Sequence, residues 1–91
     1  MSPTPFQVQL HYEVIQLLGG RKIAFNSGTV ERGDELALTV TFNDMTLYIF
    51  SDGANVVSPV LKRDFEKKSY RTFEALKAAC LEYLAEISPK G

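Results

Sequence analysis

The chain contains one cysteine and one histidine in 91 residues, and each scarcity removes a class of function. A lone Cys80 cannot close an internal disulfide, so the small secreted scaffolds stapled by several bridges are excluded. A lone His11 with no Cys, Asp or Glu at ligand spacing gives no zinc motif, and no Ser/His or Cys/His catalytic pairing is legible. No apolar run approaches the ~20 residues that cross a bilayer as a helix. Neither sign of charge dominates: the net charge is -1. Residues 1–60 are mildly acidic and residues 61–91 mildly basic, and neither excess names a partner. Met1-Ser-Pro-Thr-Pro-Phe6 shows no basic region followed by an apolar core. With the single cysteine, this makes the cytoplasm the expected location, with no membrane contact.

What is present is ordinary globular material: 45% hydrophobic residues, enough for one core and too little chain for two. Residues 1–91 are therefore expected to form a single small α+β domain. The clearest signal is the stretch from Leu36 to Val57. Leu36, Leu38, Val40 and Phe42 alternate with Ala37, Thr39 and Thr41, the period of a half-buried strand. After Asn43-Asp44 the alternation resumes with Met45, Leu47 and Ile49. A two-residue turn pairs Phe42 with Met45, Val40 with Leu47 and Leu38 with Ile49, which puts the aliphatic side chains on one face. A second turn at Asp52-Gly53 sends a short strand, Ala54–Ser58, back along the first two. This predicts Val56 opposite Ile49 and Val57 opposite Tyr48, with Pro59 ending an edge strand.

Two readings compete before this hairpin. Phe6, Val8, Leu10, Tyr12 and Val14 alternate with polar residues, which predicts a first strand. Gly19-Gly20 then makes a hairpin turn, and a second strand spans Arg21–Val30 with Gly28 as a bulge or bend. The rival is a helix: Thr4-Pro5-Phe6-Gln7 spells a capping box with proline at the first helical position, and Gly19 would close it. The strand is the preferred reading. Glu31–Glu35 reads as a loop, and Arg32-Gly33-Asp34 within it as turn chemistry. After the sheet, Thr72 caps a helix ending near Ile87, whose arc of Phe73, Leu76, Cys80, Tyr83, Leu84 and Ile87 would cover the aliphatic face. The expected fold is an antiparallel meander of four to five strands with one C-terminal helix packed on one face.

No catalytic, cofactor-binding or metal-binding residue is assigned. His11 reads as an exposed strand residue and Cys80 as a small buried hydrophobe. Gly19-Gly20-Arg21-Lys22 lacks the spacing of a phosphate loop. The leading expectation is a non-catalytic binding or accessory module acting on another protein and on itself, as a homodimer. Its candidate interface is Thr39, Tyr48, Phe50 and Val57 on the second sheet face, with Leu81 beside Ala78 and Ala85 on the outer helix. An alternative is nucleic-acid binding by Lys62, Arg63, Lys67, Lys68, Tyr70 and Arg71, where cations for phosphates surround aromatics for stacking. Asp64 and Glu66 dilute that segment. A third class, a small-ligand protein with a pocket between helix and sheet, has no motif behind it.

Overall fold

The computed structural model describes residues 2–63 and 70–87, in the order α1 (Pro5–Gly20), β1 (Asn26–Arg32), β2 (Glu35–Phe42), β3 (Met45–Phe50), β4 (Gly53–Val57) and α2 (Phe73–Ile87). The four strands form one antiparallel meander in sequence order. Both helices contribute to a single core with the aliphatic face of the sheet. Leu10, Val14 and Leu18 of α1 and Leu76, Cys80 and Tyr83 of α2 meet Val40, Leu47, Ile49 and Val56, all at most 3% exposed. The α+β class and the meander with its C-terminal helix are therefore as expected. The β2–β3 register also holds: Phe42 pairs Met45, Val40 pairs Leu47 and Leu38 pairs Ile49.

The first strand is corrected to a helix. Residues 6–14 satisfy both periods, and the decisive residue is Gln7. Thr4 caps the helix, Pro5 occupies its first turn, and Gln7 closes the capping box: its backbone N–H donates to Thr4 Oγ1 at 3.3 Å, while its Oε1 accepts from Thr4 N at 2.9 Å. Counting Gln7 as a solvent-facing strand residue misleads, because it is 2% exposed and on the same helical face as Leu10, Val14 and Leu18. Gly19-Gly20 is the last turn of this helix rather than a hairpin. The N–H of Ile23 returns to Leu18 O at 2.9 Å and that of Lys22 to Gly19 O at 3.0 Å, with Lys22 left-handed at φ 59°. This is the Schellman closure, with Lys22 where glycine is usual.

Two further boundaries move. β1 begins at Asn26 and continues to Arg32, so the expected loop is a tight hairpin through Gly33-Asp34, with Gly33 at φ 63°. Gly28 pairs Thr39 in an unbroken register and is no bulge. The β3–β4 turn is Ser51-Asp52, closed by Phe50 and Gly53, which places Val56 opposite Leu47 and Val57 opposite Thr46. A shift of two residues keeps every side chain on its expected face. Thr72 caps α2 as read, accepting from Ala75 N at 3.2 Å through its Oγ1.

Gln7 also joins the layers. The β2–β3 ladder stops at Leu38 and Ile49, while β2 continues along β1 and β3 along β4. At that fork Gln7 Nε2 donates to Leu36 O at 2.8 Å and to Ile49 O at 2.9 Å. Gln7→Leu keeps the volume but leaves two shielded carbonyls and the Thr4 N–H without this partner. It should cost about 2–4 kcal/mol in chemical denaturation. Gln7→Glu should cost more at neutral pH, because a carboxylate sets oxygen against oxygen. Equal stability of both variants to the native chain would show that the clamp contributes nothing.

Candidate functional site

Strand alternation and the observed register place Gly28, Ala37, Thr39, Thr41, Thr46, Tyr48, Phe50, Asn55 and Val57 on the sheet face away from the helices. The fold dictates its chemistry: one face takes the aliphatic residues into the core, and the other keeps hydroxyls, small residues and aromatics. Between the Arg32–Glu35 pair at the β1–β2 tip and the far end of the strands, no charged residue lies on this face. Thr41 and Thr46 face each other with their hydroxyls 3.2 Å apart. Thr39, Tyr48 and Val57 are each half-buried, with Tyr48 directly between Thr39 and Asn55.

The expected interface is only partly assembled. Thr39, Tyr48 and Val57 come together on the open part of the face. Phe50 does not belong with them as a surface group: it is 2% exposed within the single chain, beside Ala37 at 0%. The reading of Phe50 as a presented aromatic is corrected. Leu81 is half-buried on α2, in the layer on the other side of the sheet, with Ala78 and Ala85 exposed near it. It cannot share one flat contact with Tyr48.

The basic-aromatic segment divides differently. Lys67 and Lys68 lie outside the described residues, as do Asp64, Phe65 and Glu66. Tyr70 exchanges two backbone hydrogen bonds with Ala54, its N–H donating at 3.1 Å and its carbonyl accepting at 2.6 Å. Arg63 exchanges two with Ser58, donates to Glu82 Oε1 at 3.4 Å and lies 5.8 Å from the Tyr70 ring centroid. Arg63 and Tyr70 therefore close the β4 edge. Lys62 and Arg71 are exposed.

A surface that the strand reading hid appears on α1. Val8 and Tyr12 were counted with the buried side of a strand, yet they are 52% and 53% exposed. They stand four residues apart on one helical face, and the other outward side chains there include Gln9 and Gln16. No exposed position of α1 is charged, whereas exposed positions of α2 include Glu74, Lys77, Glu82 and Glu86. The signal was legible only on the helical period.

His11 lies half-buried on α1, not on a strand, and burial lowers its pKa. Tyr83 donates its hydroxyl proton to Asp44 Oδ1 and accepts from Asp44 N at 3.1 Å; burial, then that carboxylate bond, holds the phenol above its ordinary range. Among the described residues no cluster of three His, Cys, Asp or Glu could hold a metal ion. A cleft of ≈ 170 Å³ opens at the β2–β3 fork, between Ser2 and Thr4 on one side and Asp34, Glu35 and Ser51 on the other. Gln7 of α1 and Leu36 of β2 also line it, so it opens where the start of that helix meets the sheet.

The fold defines the class, a two-layer α+β domain with two helices on one side of a four-stranded antiparallel meander. Comparison with family models, with curated proteins and with solved structures finds no match. No helix of the described residues is long and apolar enough to cross a membrane.

Cys80 supplies a pH prediction. Burial pushes its thiol up to about 12 from an ordinary 9.0. A group whose folded pKa is raised stabilises fully below its unfolded value, and that stability is lost as pH rises through the window from 9 to about 12. Thermal melts should fall less steeply across that window in Cys80→Ala than in the native chain. The native thiol should resist thiol reagents until the chain unfolds. Rapid labelling of the folded protein would show that Cys80 is accessible.

Proposed function

We propose that this chain is a non-catalytic protein-binding module that also binds itself, and that the Tyr48 face of the sheet is a contact surface. The observation that carries the reading is the chemistry of that face: hydroxyls, small residues and an aromatic, with charge confined to the hairpin tip. A sheet face meant only for water carries lysine and glutamate, whereas depletion of charge around a half-exposed aromatic is the composition of an interface. Thr39 and Val57 flank Tyr48 and extend the patch, and the threonines keep the separated subunit soluble. A cytoplasmic setting belongs to the same proposal and draws on the single, buried, unpaired cysteine.

Tyr48→Glu places a charge in the middle of the patch without touching the core cluster. Light scattering over a range of concentrations should show a mass above that of one chain for the native protein. In Tyr48→Glu the mass should fall below that of the native protein, with an unchanged circular-dichroism spectrum. A native protein that stays monomeric at every concentration would refute self-association. Tight, salt-sensitive retention on heparin, lost in Lys62→Glu/Arg71→Glu, would favour nucleic acid as the partner instead.

A further inference from the structure

The two edges of the sheet are treated differently. Along β4 the chain supplies its own cover: Ala54 exchanges both backbone hydrogen bonds with Tyr70, and Ser58 does the same with Arg63. Along β1 no described residue pairs with the outer edge, and six of its seven residues are exposed. The hairpin geometry says which groups face outward. A two-residue turn closes on a hydrogen-bonded pair, here Arg32 and Glu35, so Gly28 and Val30 also bond to β2. The N–H and C=O of Ser27, Thr29 and Glu31 then point away from the sheet.

Open edges of this length are usually blunted by lysine, proline, a bulge or shortness. β1 has none of these, and its two charges, Glu31 and Arg32, lie beside the turn: at seven residues it is longer than a mean strand, its register is unbroken, and Asn26–Val30 is free of charge and of proline. We propose that β1 is a pairing edge whose occupant is β1 of a second copy, antiparallel and centred on Thr29. The symmetry favours this occupant. With the two-fold axis at Thr29, Thr29 faces Thr29, and Glu31 of each copy faces Ser27 of the other, so like charges are never opposed. Two uncharged pairs sit nearest the axis, Thr29 with itself and Gly28 with Val30. Because the axis stands perpendicular to the sheet, both Tyr48 faces fall on the same side of one continuous sheet and double that surface. The proposal rests on the reading of the chain as self-associating, but not on the Tyr48 face as the contact.

Thr29→Pro is the decisive variant. It deletes an outward N–H that the β1–β2 ladder does not use, and proline is tolerated at such edge positions. Light scattering of Thr29→Pro should show half the native mass with a native circular-dichroism spectrum. Thr29→Lys, which sets two lysines on the axis and keeps the N–H, serves if the proline variant fails to fold, and should also halve the mass. In the native chain, hydrogen exchange of the Ser27, Thr29 and Glu31 amides should slow at least tenfold between dilute and concentrated protein. The edge is overturned if these amides exchange equally fast at both concentrations, or if both Thr29 variants keep the native mass. If the Thr29 variants stay dimeric while Tyr48→Glu is monomeric, the sheet face is the contact and the edge is not. A native chain that is monomeric throughout overturns both.

Discussion

The side-chain amide of Gln7 is the interaction that fixes where everything else sits. Its oxygen closes the cap of α1, and its nitrogen donates to one carbonyl on β2 and one on β3. A helix start and two strands are thus tied to one planar group that has little freedom to do otherwise. Because the group is 2% exposed, water cannot replace these bonds, and each is stronger for lying in a poorly polarisable surrounding. The same contact sits where the β2–β3 ladder ends, so it holds the fork at which the two hairpins diverge. Once this clamp sets the position of α1, Leu10, Val14 and Leu18 reach the aliphatic face of the sheet.

The opposite end of the central hairpin has its own lock. Tyr83 of α2 meets Phe42 edge to face, with ring centroids 5.5 Å apart, and its hydroxyl both donates to and accepts from Asp44 in the turn. One helix is therefore fastened where β2 and β3 separate, and the other where they join. With two helices held on one face, the second face has neither. Its inner end is closed around Ala37, Phe50 and Asn55, and the remainder around Thr39, Tyr48 and Val57 stays half-open. That division follows from packing, and it leaves an uncharged, half-open patch on that part of the sheet. Arg63 and Tyr70 are likewise engaged at the β4 edge, so their sequence neighbourhood, rich in cations, overstates how much of it is turned to a ligand.

Two elements were legible in the chain because independent signals agreed. At β2–β3 the turn length and the alternation select the same register. At α2 the Thr72 cap, the arc from Phe73 to Ile87 and its length all specify a helix. Where one signal stood alone it misled. The Asp52-Gly53 dipeptide is good turn chemistry, yet the turn is Ser51-Asp52, since Gly53 sits buried opposite Phe50. Residues 6–14 carry both periods, and composition cannot choose between them. Phe50 alternates onto the outer face as expected, but alternation says nothing of whether that part of the face is covered.

The sequence by itself determined the α+β class, the central hairpin with its register, the C-terminal helix and the inward-facing place of Cys80, because each depends on local periodicity, capping or residue type. Only the tertiary structure decided that the N-terminal segment is a helix, that Gln7 faces inward, that Phe50 is buried while Val8 and Tyr12 are exposed, and that β4 is covered while the outer edge of β1 pairs with no described residue. These depend on contacts between residues far apart in the chain: Gln7 with Leu36 and Ile49, Asp44 with Tyr83, Ala54 with Tyr70. A local pattern can state which side chains seek burial; which of them obtain it is settled by the elements that arrive from elsewhere.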